Sequence, residues 1–220
     1  MVVIVLVIYK VAQRKRVWYI GLVVEQTTTI FLGPQGCGKG TQIALLQAFL
    51  AKNDPDRTIV SFSAGTMLRA FAEKTGYTAE RIKPKIARGA LLPTFLSTCL
   101  FSEYLIDHMK GNEHLIADGF PRTEDQTYAL DSAMQFYNRV QPTVLYVSIS
   151  DEEALKRLTK RGRGDDTEDG IRKRLQWNRE QSLPLNDWFK NNSMYRFIEV
   201  DGERPIEDIH KDILNKLGIA

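Results

Sequence analysis

Nine residues, Gly33-Pro34-Gln35-Gly36-Cys37-Gly38-Lys39-Gly40-Thr41, combine glycines, a lysine and a hydroxyl at the spacing of a phosphate-binding loop. Glycines let backbone N–H groups turn inward around phosphate oxygens. A following helix adds its partial positive charge, and Lys39 can reach the terminal phosphates of a nucleotide. The general motif has Ser or Thr directly after the lysine, whereas here Gly40 stands there and Thr41 follows one place later. Phosphoryl transfer has a loose transition state that needs positioning and charge stabilisation more than a covalent nucleophile. Arginines, whose planar forks match phosphate oxygens, are the side chains this chemistry favours.

A loop of this kind works only between a strand and a helix, and the flanking sequence supplies both. Thr28–Leu32 precedes it as a β-branched run, and Ile43, Leu46 and Leu50 follow at helical spacing. Short strands are also predicted at Thr58–Phe62, His114–Ala117, Thr143–Ile149 and Tyr195–Val200, alternating with helical periods. That alternation is the pattern of an α/β fold with helices layered on a parallel sheet of five strands. Ser150 followed by Glu153 reads as a capping box that starts a helix after the fourth strand. Ile206, Ile209, Ile213 and Leu217 predict a final helix, with Pro205 at its start and Gly218 at its end. Pro84 falls inside the helical stretch Thr78–Arg88, which predicts a kink there or a later helix start.

Composition narrows the functional classes. The 220 residues are 43% hydrophobic and 26% charged, enough for one large domain with a core, which excludes collagen, coiled coil and full disorder. A net charge of +3 is too balanced to mark a nucleic-acid binder. The two cysteines, Cys37 and Cys99, form no CxxC pair, and the three histidines, His108, His114 and His210, have no metal-ligand spacing. No zinc is expected, these five side chains read as packing or surface groups, and a reducing, cytoplasmic setting is the default. Residues 1–26 form an N-terminal extension with two apolar runs, Val2–Tyr9 and Val17–Val24, split by basic residues. Neither run is long enough to span a membrane, and the basic cluster follows the first run, unlike a secretory signal. A β-hairpin, a loosely packed extension and a membrane-touching anchor are the readings open for it.

Four further segments follow the loop in order: Ser63-Ala64-Gly65-Thr66-Met67-Leu68-Arg69, Asp118-Gly119-Phe120-Pro121-Arg122, Arg161-Gly162-Arg163-Gly164-Asp165-Asp166, and Arg172-Lys173-Arg174-Leu175. With Gly38-Lys39-Gly40-Thr41-Gln42, they resemble the adenylate kinase family of nucleoside monophosphate kinases over residues 28 to 218. The resemblance implies a three-layer P-loop NTPase-type fold, occupying residues 27–220, with a helical monophosphate-binding insertion at about 63–92 and a short lid at about 162–169. It implies ATP held by Gly36, Cys37, Gly38, Lys39, Gly40 and Thr41, with Arg157 stacking on its base. Arg69 and Arg122 would grip the monophosphate, and Lys39, Arg161, Arg163 and Arg174 would gather charge on the transferring group.

Gly119 and Leu92 are expected beside the monophosphate, the latter in the base-pocket loop Gly89–Pro93. Mg²⁺ keeps much of its hydration shell and bridges ATP phosphates, so an acidic residue here organises it through water. Asp118 is the candidate, while Asp165 and Asp166 read as holders of the lid arginines. Thr66 stands where the family usually carries Asp, which predicts altered Mg²⁺ contacts.

The base specificity is read from two positions that point in different directions. Gln126, four residues after Arg122, resembles the glutamine that reads adenine through its amide. Ala64 instead resembles the UMP/CMP kinases. The amide is weighted more heavily, since it can pair with a base edge and a methyl group cannot. The expected activity is ATP + AMP ⇌ 2 ADP with Mg²⁺, by a monomer that binds no nucleic acid, with membrane contact by the N-terminal extension the less favoured of its readings. A UMP/CMP kinase and a non-catalytic nucleotide-binding protein are the alternatives. A GTPase is disfavoured by the lack of an Asn-Lys-x-Asp sequence.

Overall fold

A computed structural model describes residues 25–88, 90, 92–162 and 166–219, so the two apolar runs of the extension, Arg163 and Asp165 lie outside the described residues. Five parallel strands form one sheet in the order β2-β3-β1-β4-β5, with β1 at Thr28–Leu32, β2 at Ile59–Ser63, β3 at His114–Asp118, β4 at Thr143–Ser148 and β5 at Arg196–Asp201. All strands fall within one or two residues of the sequence expectation; β2 and β5 sit one residue later at both ends.

Side chains of β1 alternate between the two faces of the sheet, which builds two core layers. Ile30 and Leu32 pack with Phe62, Phe101, Leu105, Leu130, Met134 and Phe189. On the opposite face, Phe31 packs with Ile43, Leu46, Leu50, Ile209 and Ile213. Every residue of β1 is buried, as expected for the middle strand of a parallel sheet covered by helices on both faces. The first of those layers is supplied by α4 (Thr94–His108), α5 (Glu124–Phe136) and α8 (Leu185–Asn191), the second by α1 (Lys39–Asn53) and α9 (Ile206–Leu217).

The remaining helices are α2 (Ala64–Ala72), α3 (Tyr77–Ala87), α6 (Asp151–Arg161) and α7 (Glu168–Trp177). Pro84 lies inside α3, and the helix nevertheless begins at Tyr77, so no later start occurs. In α9 the core face is Ile209, Ile213 and Leu214, while Ile206, the first residue of the predicted stripe, is 48% exposed because it lies at the helix mouth. The cap of α6 is only half a capping box. Ser150 Oγ accepts from the Glu153 N–H at 3.3 Å, but the Ser150 N–H donates to Glu203, and Glu153 turns to Lys156 and Arg157. α6 ends at Arg161 and α7 begins at Glu168, on either side of residues 163–165, which lie outside the described residues.

Parallel pairing brings the carboxyl ends of four strands to one edge: Phe31 and Ser63 both pair with Asp118, and Leu32 pairs with Tyr146. Ligands of open α/β sheets bind outside this edge. The opposite edge is closed by buried polar groups. Arg139 donates to Thr28 Oγ1 at 2.7 Å and to the carbonyls of Thr27 and Glu113 at 3.0 and 2.8 Å. His114 Nδ1 accepts from the Thr27 N–H at 3.2 Å, so the ring proton sits on Nε2, which faces Asp54 at 3.2 Å.

Candidate active site

The loop from Gly33 to Gly38 turns over the end of β1 in a conformation that only glycine allows at its hinge points. Gly33 has φ +129°, and a Cβ there would lie 2.3 Å from the Val147 carbonyl oxygen, a backbone atom of β4 that cannot yield. Gly38 is left-handed at φ 95° and caps α1, whose first turn contains no acidic residue. The N–H groups of Thr41 and Gln42 donate to the Gly38 carbonyl, and those of Lys39 and Gly40 are left for an anion. Cys37 is only 1% exposed, so it contributes backbone and not side chain to this surface. Lys39 Nζ donates to the carbonyls of Gly33 at 2.7 Å and Pro34 at 2.8 Å, lying across the loop it belongs to.

Beside the loop a cavity of about 150 Å³ is lined by Lys39, Arg69, Leu92, Gly119, Arg122 and Arg174, six of the residues singled out from the sequence. Arg122 reaches it because Gly119, left-handed at φ +66°, lets the chain turn after β3. Its Nε then donates to the Gly119 carbonyl at 2.8 Å. A Cβ on Gly119 would meet Arg122 Nη2 at 2.7 Å, so the glycine also makes room for the guanidinium. Burial lowers the Arg122 pKa, Asp118 opposes that, and the charges of Arg69 and Arg174 lower it further. Three guanidinium groups thus feel one another across the cavity, and an anion of high charge placed between them relieves the repulsion.

Asp166 ties Arg161 and Arg174 together. Arg161 donates to both its oxygens at 2.8 Å, and Arg174 Nη2 donates to Oδ1 at 2.9 Å. Burial of this carboxylate would raise its pKa, but the hydrogen bonds and charges of the two arginines outweigh burial and hold it below the ordinary value. Asp118 accepts from Ser63 Oγ at 3.1 Å, and Arg69 Nη2 donates to Thr66 Oγ1 at 3.3 Å. Asp118 is not itself part of the cavity wall, though Gly119 beside it is, and a single carboxylate there fits an ion that keeps its water shell and is held mainly by substrate phosphates. Among the described residues no three His, Cys, Asp or Glu side chains form a metal-binding group.

Other expected site residues lie outside the cavity wall. Ala64 is 3% exposed and belongs to the core, and the neighbouring Gly65 lines the cavity instead. Arg157 is turned to Glu153 and to the Gly202 carbonyl, both at 2.9 Å. Gln126 is 3% exposed; its carbonyl accepts from the Arg122 N–H and its NH₂ donates to Ser97 Oγ, each at 2.8 Å. Conversely, Gln35, Tyr146, Trp177, Asn178 and Ser182 line the cavity without having been singled out. The last two bracket a π-helical turn, Asn178–Ser182, and Ser182 Oγ donates to the Arg122 carbonyl at 3.1 Å. A widened turn at a site is a tertiary feature with no motif to announce it.

Comparison with known proteins agrees with this geometry. The family model described as adenylate kinase matches residues 31–194. An adenylate kinase of Prochlorococcus marinus is 32% identical over 188 residues, covering 86% of this chain and 97% of that protein. An adenylate kinase of Thermus thermophilus is 34% identical over 194 residues, covering 86% and 96%. A uridylate kinase of Saccharomyces cerevisiae is 32% identical over 198 residues, covering 86% and 90%. A phosphate-binding loop at the carboxyl edge of a parallel sheet, facing converging arginines, is thus accompanied by similarity along most of the chain, and the chain belongs to the adenylate kinase family.

Proposed function

We propose that this phosphotransferase acts as an adenylate kinase, transferring the terminal phosphoryl group of ATP reversibly to AMP with Mg²⁺ to give two ADP. The observation that carries the reading is the meeting of Lys39, Arg69, Arg122 and Arg174 around one cavity beside the phosphate-binding loop. The loop N–H groups and Lys39 hold the ATP phosphates, for which Lys39 leaves the loop carbonyls. Arg69 and Arg122 hold the monophosphate with an oxygen in line for attack. Arg161 and Arg174, with Arg163 from the lid, spread charge away from the equatorial oxygens of the transferred group. Mg²⁺, held through water by Asp118, supplies neutralisation of the ATP phosphates.

In this reading the segment at about 63–92 and the lid at about 162–169 close over the substrates and exclude water, so that ATP is not hydrolysed. The kinase domain comprises residues 27–220, preceded in sequence by the extension 1–26, and acts as a monomer in the cytoplasm. Among the described residues no helix is long and apolar enough to cross a membrane.

A second reading, a UMP/CMP kinase, is favoured by Ala64, by the engagement of the Gln126 amide with Arg122 and Ser97, and by likeness to a uridylate kinase. A coupled assay with ATP-Mg²⁺ and AMP, CMP, UMP or GMP at equal concentration decides, reported as kcat/KM. The highest value with AMP is expected. A preference for CMP or UMP overturns the choice of base.

A further inference from the structure

Gln35 lies in the phosphate-binding loop between Pro34 and Gly36 and lines the cavity with Lys39, Arg69, Arg122 and Arg174. Its Oε1 is buried and has no hydrogen-bond partner among the described residues. A buried acceptor left in this way is costly in a folded protein and calls for a reason. No group among the described residues engages its Nε2 either, and that atom is not sealed in the protein, so the NH₂ is the end of this cavity-lining amide left to donate. Two of the Lys39 ammonium hydrogens are directed at the carbonyls of Gly33 and Pro34, the residues just before Gln35. The amide and the ammonium thus flank one stretch of loop.

Phosphoryl oxygens only accept hydrogen bonds, and the cavity wall offers them the charged donors of Lys39, Arg69, Arg122 and Arg174 beside neutral ones from Tyr146, Trp177, Asn178 and Ser182. Gln35 adds a neutral donor from the loop itself. We infer that the Gln35 NH₂ donates to an equatorial oxygen of the phosphoryl group in transit, which makes Gln35 a further catalytic residue. The inference rests on the kinase reading above. During transfer, the bond from the monophosphate oxygen to the terminal phosphorus forms as the bridging O–P bond of ATP breaks. The electron pair leaves with the ADP oxygen, and Gln35 exchanges no proton. A fixed donor at the equatorial oxygens acts most where charge gathers in the transition state, so its removal is felt in kcat.

The test compares wild type, Gln35→Ala and Gln35→Glu in full-length protein, with ATP-Mg²⁺ and whichever monophosphate the wild type uses best. Gln35→Ala is expected to lower kcat roughly tenfold or more. KM for both substrates stays near the wild-type value, and the melting temperature is unchanged or higher, because the variant loses an unpartnered acceptor. Gln35→Glu is expected to lose more, since a carboxylate cannot donate and repels the phosphoryl oxygens. The inference is overturned if Gln35→Ala keeps the wild-type kcat, if its loss lies only in KM, if Gln35→Glu is as fast as Gln35→Ala, or if melting temperature falls in step with activity. A wild type inactive with every monophosphate defeats the kinase reading, whereas an active wild type with an indifferent Gln35→Ala defeats this inference alone.

Discussion

At the scale of single residues, the site is an arrangement of positive groups that need an anion, and the neighbours of each arginine decide where it points. Gly119 and Gly65 matter because a Cβ on either would meet a guanidinium, at 2.7 Å for Arg122 and 3.2 Å for Arg69. Thr66 presents a hydroxyl to Arg69. Thr66→Asp adds a second acidic group three residues beyond Ser63, the bonded partner of Asp118, so half-saturation is expected at a Mg²⁺ concentration lower by roughly threefold or more. The same carboxylate competes with the monophosphate for Arg69, so KM for the monophosphate rises. Mg²⁺ titrations of wild type and variant check this, and superimposable curves contradict it. The phosphate-binding loop and the arginine segments are legible in the sequence because motif order and residue type specify them. The engagement of Gln126 with Ser97, which joins α5 to α4, depends on packing between residues 29 apart and has no sequence signal.

At the scale of elements, strands and helices were legible wherever periodicity was strong, and their ends shifted where local bonds compete. The Ser150 cap illustrates this: the tetrapeptide pattern is present, yet Glu203 from a distant loop takes the Ser150 N–H. The start of β3 carries a pH-dependent element of stability. His114 is fully buried, and its pKa is lowered chiefly by burial, with Arg57 and Arg139 adding to that and Asp54 opposing. A lowered folded-state pKa means that the unfolded chain binds the proton more tightly. The contribution is therefore present above the ordinary value of 6.5 and is lost as pH falls below it toward the folded value. The urea midpoint is expected to be lower at acidic pH, with a His114 share of at most about 1.4 kcal/mol per pH unit. His114→Gln removes that share and flattens the dependence. Equal slopes in the two proteins contradict the assignment.

At the scale of the whole molecule, a parallel sheet covered on both faces gathers the ends of β1, β2, β3 and β4 at one edge and places every charged group of the site there. The other edge is locked by Arg139 and Glu113, both about 2% exposed in their side chains, so the two ends of the sheet divide the work of chemistry and stability. Fold class and the order of strands along the chain were carried by short motifs between periodic segments. The cavity wall contributed by Tyr146, Trp177 and the π-helical turn was not, because it exists only once α7 has packed against α6. The most direct test of the account is turnover of ATP-Mg²⁺ with the preferred monophosphate by Lys39→Met and Arg122→Ala, each checked by circular dichroism for an intact fold. Converging charge at one cavity predicts that both lose activity by roughly a thousandfold. Either folded variant working at the wild-type rate would contradict it.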